Sequence, residues 1–262
     1  MSAADIEVNH SWGLEVPLFM PSDIWWMPQS FAVEMNRALA SAGRDTVDLI
    51  SPGTALLPSF QEDVLGRSVQ LLTVQKALAN PVAGWWKSAE AKVDGFASEY
   101  RTADELMTDI TRNQLPHDSA LHFSEGRLSI DREFRSFLVD GRVVTSSVYL
   151  NHLADGSTLT AYNGAVNREG DFDRVSSFLA EVSQEAELPI SVVADTAILT
   201  TGEIVLLEFN PSWCSAWYNC DINGVVDCIK AAFHADGQQN WLYKPDAYLV
   251  QKAVKKAVLP MR

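Results

Sequence analysis

Apolar residues Phe31, Met35, Ala38 and Leu39 recur at the spacing of one helix face. The stretch 30–42 that holds them closes on Gly43, a residue suited to the left-handed conformation at a helix C-terminus. Short apolar runs at 14–20 and 46–50 read as strands on either side, so the first fifty residues predict a small parallel α/β unit. A turn-rich stretch at 51–59 and a helical segment at 73–79 lead to Pro81, and a domain boundary is placed near residue 80.

Beyond it the pattern changes to short strands and hairpins. Residues 82–86 read as a strand, 87–95 as a polar loop ending at Gly95, and 96–100 as the returning strand. Thr102 and Glu105 form a capping box that opens a helix running to Arg112. Strands follow at 120–125, 132–139, 142–150 and 158–166, with Asp140-Gly141 supplying a hairpin turn between the second and third. A helix over 172–187, strands over 190–199 and 203–209, and a helix over 221–235 complete the main pattern. The tail at 246–258 predicts an amphipathic helix with its lysines on one side. Antiparallel hairpins mixed with helices predict an α+β fold of two lobes.

Composition narrows the function classes. With 262 residues, 47% of them hydrophobic and 21% charged, the chain can bury a core without disulfides. Asp and Glu outnumber Lys and Arg by 34 to 20, a net charge of −14 that disfavours nucleic acid and anionic membranes as partners. Cys214, Cys220 and Cys228 fit no zinc spacing and read as reduced thiols. Asp5 and Glu7 stand where a signal peptide would be basic, and no apolar run approaches a membrane span, so a cytoplasmic protein is expected. The five histidines form no close pair of metal-binding type, and no GxGxxG follows a strand, which argues against a dinucleotide oxidoreductase.

The segment 192–211 carries the most chemistry. A turn centred on Thr201-Gly202 puts Asp195 opposite Glu208, and strand alternation turns Asn210 to the same face. Two carboxylates and an amide are hard oxygen donors of the kind that hold Mg2+. The alternative is an acidic hairpin facing solvent, against which stands the position of Glu208 between Leu207 and Phe209. On the strand 132–139, Glu133 and Arg135 share a face, either as an exposed ion pair or with the guanidinium directed at phosphate or carboxylate. Lys87 and Lys92 on the polar loop are either solvated surface or phosphate neutralisers. Trp12, Trp25, Trp26, Trp213, Trp217 and Tyr218 either fill the core or line an aromatic pocket.

Taken in order, these segments resemble the ATP-grasp superfamily, and within it the clade named for one arginine and two lysines. The resemblance runs from about residue 51 to 224. It implies an ATP-grasp fold whose two α+β lobes clasp a nucleotide, with an N-terminal pre-ATP-grasp unit at 1–80 and an ATP-grasp domain at 81–262, divided into lobes at 81–125 and 126–262. It implies that Lys87 and Lys92 contact nucleotide phosphates, that Glu125 at the hinge contacts the adenine or ribose, and that Glu133 and Arg135 belong to a Glu-x-Arg strand in which Arg135 contacts phosphate. Asp195, Glu208 and Asn210 correspond to the Mg2+ ligands. The implied activity is ATP- and Mg2+-dependent ligation of a carboxylate on a small molecule or peptide to an amine or thiol, through an acyl phosphate, with Arg135 and Lys92 acting on the transferred phosphate. A member that kept the fold and lost turnover, serving as a nucleotide-binding or interaction module, is the alternative. The chain departs from the family pattern at Ser88, where many members carry proline.

Overall fold

Two antiparallel sheets organise the chain, each covered by helices. The computed structural model describes residues 24–90, 93, 95–234 and 236–252. In chain order the elements are α1 (Gln29–Ser41), α2 (Glu62–Leu65), β1 (Gln70–Thr73), α3 (Val74–Ala79), β2 (Gly84–Ser88), β3 (Glu99–Arg101), α4 (Ala103–Arg112), β4 (Ala120–Ser124), β5 (Ile130–Val139), β6 (Arg142–His152), β7 (Thr158–Thr160), α5 (Asp171–Glu185), β8 (Ser191–Leu199), β9 (Ile204–Asn210), α6 (Ile222–Ala232) and α7 (Ala247–Lys252). The strand order is β1-β4-β2-β3 in one sheet and β7-β6-β5-β8-β9 in the other. The expected α+β architecture is therefore present.

Alternation along β2 sets the first sheet. Trp86 is fully buried and packs with Phe123, Leu106 and Ile110 beneath α4. Its neighbours Trp85 and Lys87 consequently point to the opposite face. The capping box at Thr102 and Glu105 forms as expected and starts α4. β1 is a strand that the apolar pattern does not predict; it pairs with β4, so the sheet takes in residues ahead of the boundary placed near 80.

In the second sheet, β5 and β6 turn at Asp140 and Gly141, whose φ values of 49° and 70° are those of a two-residue hairpin turn with right-handed strand twist. One face is mostly apolar: Phe134, Leu138, Val192, Ala194 and Ile198 pack on α5 through Val175, Leu179 and Val182, interrupted by buried Ser136 and Thr196 and by the Arg132 to Asp171 ion pair at its edge. The other face is divided. Phe137 and Val193 lie under α1 and α6, whereas Arg135, Asp195 and Glu208 form a polar end left for a cleft. Each fully buried Phe or Leu stabilises the fold by about 1.5–3 kcal/mol relative to exposure.

Two predicted elements differ. Residues 46–50 form no strand: Asn36 Nδ2 donates to the Val47 carbonyl and Asn36 Oδ1 accepts from the Val47 amide, both at 2.9 Å, so a helix side chain takes the bonds a neighbouring strand would use. Only Ile50 makes a bridge, to Leu242. The strand expected over 158–166 stops at Thr160, because Asn163 Oδ1 accepts from the Thr160 amide and folds the chain into a turn, closed by an Ala165 amide to Thr160 carbonyl bond of 2.9 Å. The strand expected at 14–20 and the tail helix beyond Lys252 lie outside the described residues.

β2 lies so close to β4 that a Cβ on Gly84 would stand 2.3 Å from the Phe123 ring and 2.9 Å from the Ser124 carbonyl oxygen. Gly84→Ala is expected to cost about 1–3 kcal/mol through overpacking, read as a lower midpoint in urea denaturation with an unchanged slope.

Candidate active site

The polar faces of the two sheets enclose a cleft of about 310 Å3. Trp85 and Lys87 of β2 reach it from one side; Glu133, Tyr149, Leu207 and Glu208 line it from the other, with Gly126 and Leu128 on the connection between sheets. Residues 125–129 join β4 to β5 and thus occupy the expected hinge position. Glu125 is exposed there, next to Gly126 but not itself a wall of the cleft.

Arg135, Asp195 and Glu208 stand side by side on β5, β8 and β9. Asp195 is opposite Glu208 as the pairing predicts, by way of two departures that cancel. The turn uses three residues, with Gly202 at φ 90° and Ile198 opposite Ile204, and a bulge then leaves Leu207 without a partner. The freed Leu207 carbonyl accepts from Arg67 Nη2 at 3.3 Å. Arg135 is buried and does not pair with Glu133, which corrects the exposed-ion-pair reading. Its Nε and Nη2 donate to the two oxygens of Asp195 at 2.8 and 2.6 Å, and Nη1 donates to the Ala216 carbonyl at 3.1 Å. Glu208 is ion-paired with Lys87 across the cleft. Asn210 Nδ2 donates to Glu208 Oε1 at 2.9 Å and to Asp195 Oδ2 at 3.3 Å.

Burial pushes the Asp195 carboxyl up to about 7, against the pull of Arg135 and with the like charge of Glu208 adding to the rise. Burial would raise Glu208 as well, but Lys87 and the hydrogen bonds from its neighbours hold it well below the usual carboxylate range. Arg135 stays protonated: Asp195 outweighs the cost of burying it.

This donor set suits a hard divalent cation. Asp195, Glu208 and Asn210 converge within hydrogen-bonding reach, and turning the Asn210 amide about its Cβ–Cγ bond would present its oxygen in place of its NH2. Among the described residues no group of three or more His, Cys, Asp or Glu is placed to hold a metal, so the third donor has to be the amide. The adjacent carboxylates are the pair whose mutual repulsion a cation relieves.

Lys92 lies outside the described residues, as does Trp12. Trp213 is core, Trp25 is partly buried, and Trp26 and Trp217 form a partly exposed pair with ring centroids 4.9 Å apart. Burial raises the thiols of Cys220 and Cys228, which keeps them protonated and unreactive. Two neighbours of the site, Arg67 and His122, carry no local sequence signal, whereas Tyr218 is one of the aromatics singled out in the sequence. Arg67 is lowered to about 10 by burial, against the charge of Glu208. Tyr218, at φ 48°, stacks on Tyr149 with centroids 4.9 Å apart, and the Arg135 guanidinium lies 5.0 Å from its ring. His122, opposite Lys87 on β4, is held neutral by burial, which lowers it to about 4; its Nε2 meets the Thr54 carbonyl at 2.7 Å.

Residues 65–228 match the family model for an ATP-grasp domain, family 2 of the clade named for one arginine and two lysines. No curated protein matches the chain. Among solved structures it is similar to the ATP-grasp ligase PsnB complexed with precursor peptide PsnA2 and AMPPNP, at 15% identity over 80% of this chain and 61% of that one, with a TM-score of 0.38. It is also similar to the D-alanine-D-alanine ligase from Coxiella burnetii, at 13% identity over 81% of this chain and 60% of that one with a TM-score of 0.42. The corresponding Bacillus anthracis enzyme matches at 12% identity over 78% and 76% with a TM-score of 0.44. This chain thus spans about three fifths of the first two proteins, which are covered over 61% and 60% of their lengths. No helix among the described residues is long and apolar enough to cross a membrane. With the two-sheet architecture and the matched span covering more than half the sequence, the chain belongs to the ATP-grasp superfamily, in family 2 of the clade named for one arginine and two lysines.

Proposed function

We propose that this protein is an ATP- and Mg2+-dependent ligase that joins the carboxylate of a small molecule or peptide to an amine or thiol through an acyl phosphate. The observation that carries this reading is the cleft in which Lys87 of one sheet meets Glu208 of the other, with Asn210, Asp195 and Arg135 hydrogen-bonded in succession behind Glu208. Phosphoryl transfer asks little covalent chemistry of a protein and depends on positioning and charge neutralisation. Lys87 is held ready by Glu208 and can exchange that partner for phosphate oxygens. Arg135 spends three of its five N–H donors on Asp195 and Ala216, leaving two for phosphate in a fixed plane. Asp195, Glu208 and Asn210 would hold Mg2+, which when bound neutralises phosphate charge. Lys92 is assigned to the phosphates and Glu125 to the adenine or ribose by the family pattern.

Supplied with an acid and an amine that it accepts, the protein is expected to release ADP only when Mg2+ is present, and a chelator should stop it. Glu208→Gln should lower kcat/KM by about 100- to 1000-fold. Tight nucleotide binding with no ADP release across a broad acid and amine library would instead identify a non-catalytic module.

Two replacements separate the tasks of Arg135. Arg135→Lys keeps the charge and loses the planar fork, so turnover should fall by about 30- to 1000-fold. Arg135→Ala leaves a buried carboxylate unpaired and should cost about 3–5 kcal/mol in urea denaturation. Wild-type ADP release by Arg135→Lys would remove this residue from phosphate binding.

A further inference from the structure

A cleft that takes a polyphosphate carries two carboxylates, Glu133 and Glu208. Lys87 offsets Glu208. For Glu133, among the described residues, the ion-pair partner is His152, whose Nε2 lies 2.7 Å from Oε1. The other oxygen, Oε2, accepts from the Tyr149 hydroxyl. Tyr149 can orient Glu133 but cannot offset its charge, since burial and the acids around it raise the phenol well above its ordinary value. The carboxylate is thus fixed at both oxygens and neutralised through one of them.

We infer that His152 is a positioning residue for Glu133: it holds that carboxylate on the cleft wall, offsets its charge, and so makes the affinity for a nucleotide polyphosphate depend on pH. This rests on the nucleotide reading of the cleft proposed above.

The surroundings of His152 fit the role. It ends β6, with its side chain about one third exposed, so it exchanges protons with water. β7 places only Thr158 opposite it. From β5 it faces Glu133 and Asp131; Asp131 is already paired with Arg132 and with Arg168, at 2.9 Å for the latter, and Arg132 turns to Asp171 at the start of α5. The hydrogen bond to Glu133 raises the imidazole above its ordinary value, partial burial opposes this, and the charges of Glu133 and Asp131 add to the rise. Below that raised value the imidazolium cancels Glu133. Above it, Glu133 faces the phosphates with its charge uncancelled, and affinity falls as pH rises. By linkage, a bound polyphosphate raises the imidazole further.

The test is calorimetric titration of Mg2+·AMPPNP between pH 6 and 8.5 into the wild-type protein, His152→Gln and Glu133→Gln, with the His152 imidazole followed by NMR. The nucleotide's own titration is common to all three proteins, so the ratio of variant to wild-type Kd is the quantity read. The His152→Gln to wild-type ratio should fall about three- to tenfold across the range, as the wild type loses its advantage. Glu133→Gln should bind without that pH dependence, and its His152 should titrate lower than in the wild type. A ratio constant with pH, or an imidazole unmoved by Glu133→Gln, overturns this inference alone. If the wild-type protein binds no AMPPNP at any pH, the nucleotide reading fails and takes this inference with it.

Discussion

Asp195 lies in the middle strand of three, with 1% of its surface exposed, and a carboxylate in that position is stable only with a partner built around it. Arg135 supplies that partner from the adjacent strand, two N–H donors on two oxygens, and fixes its own plane in doing so. The Glu208 side of the cleft is placed relative to this pair. Glu208 and Asn210 reach Asp195 from the opposite neighbour, Lys87 reaches Glu208 from the other sheet, and the Ala216 carbonyl brings in the segment after β9.

The sheet can hold such a pair because its faces are unequal. Its α5 face is mostly apolar, with Ser136, Thr196 and the Arg132 to Asp171 pair as its buried polar groups, and on the cleft face Phe137 and Val193 continue the core beside the polar cluster. That second core is closed by Met35 and Leu39 of α1 and by Val225 and Cys228 of α6. The amino-terminal helix therefore shares a core with the larger sheet. Met27 and Ile50 tie its flanks to Trp213 and Ala232 through backbone bonds of 2.9 Å each.

What was legible in the sequence was what local chemistry decides. The Asp140-Gly141 turn and the Thr102 and Glu105 cap need only neighbours a few residues away, whereas Lys87, read as the start of a polar loop, continues β2 through pairing with β4. The facing of Asp195 and Glu208 was also legible, though the turn and the bulge each depart from the simple ladder by one residue in opposite senses. Residues 46–50 misled because Asn36, ten or more positions earlier, takes the Val47 backbone. The partner of Arg135 was misjudged for a related reason: strand alternation pairs it with Glu133, but the residue that reaches it lies sixty positions on, and only the β5 to β8 pairing brings the two together. Arg67 and His152 acquire meaning solely from contacts of that kind. The family pattern supplied roles for Lys92 and Glu125 that no spacing of residues could.

The bulge at Leu207 has a further effect on the cavity wall. A strictly alternating strand offers a cavity every second residue, so an apolar group and a charged one on the same wall must stand two positions apart. With Leu207 unpaired, it and Glu208 both face the cleft. A single strand thereby sets a dry surface and an ionised group directly beside each other, which is what a ligand with a flat, poorly hydrated part joined to a densely charged one would require of its container.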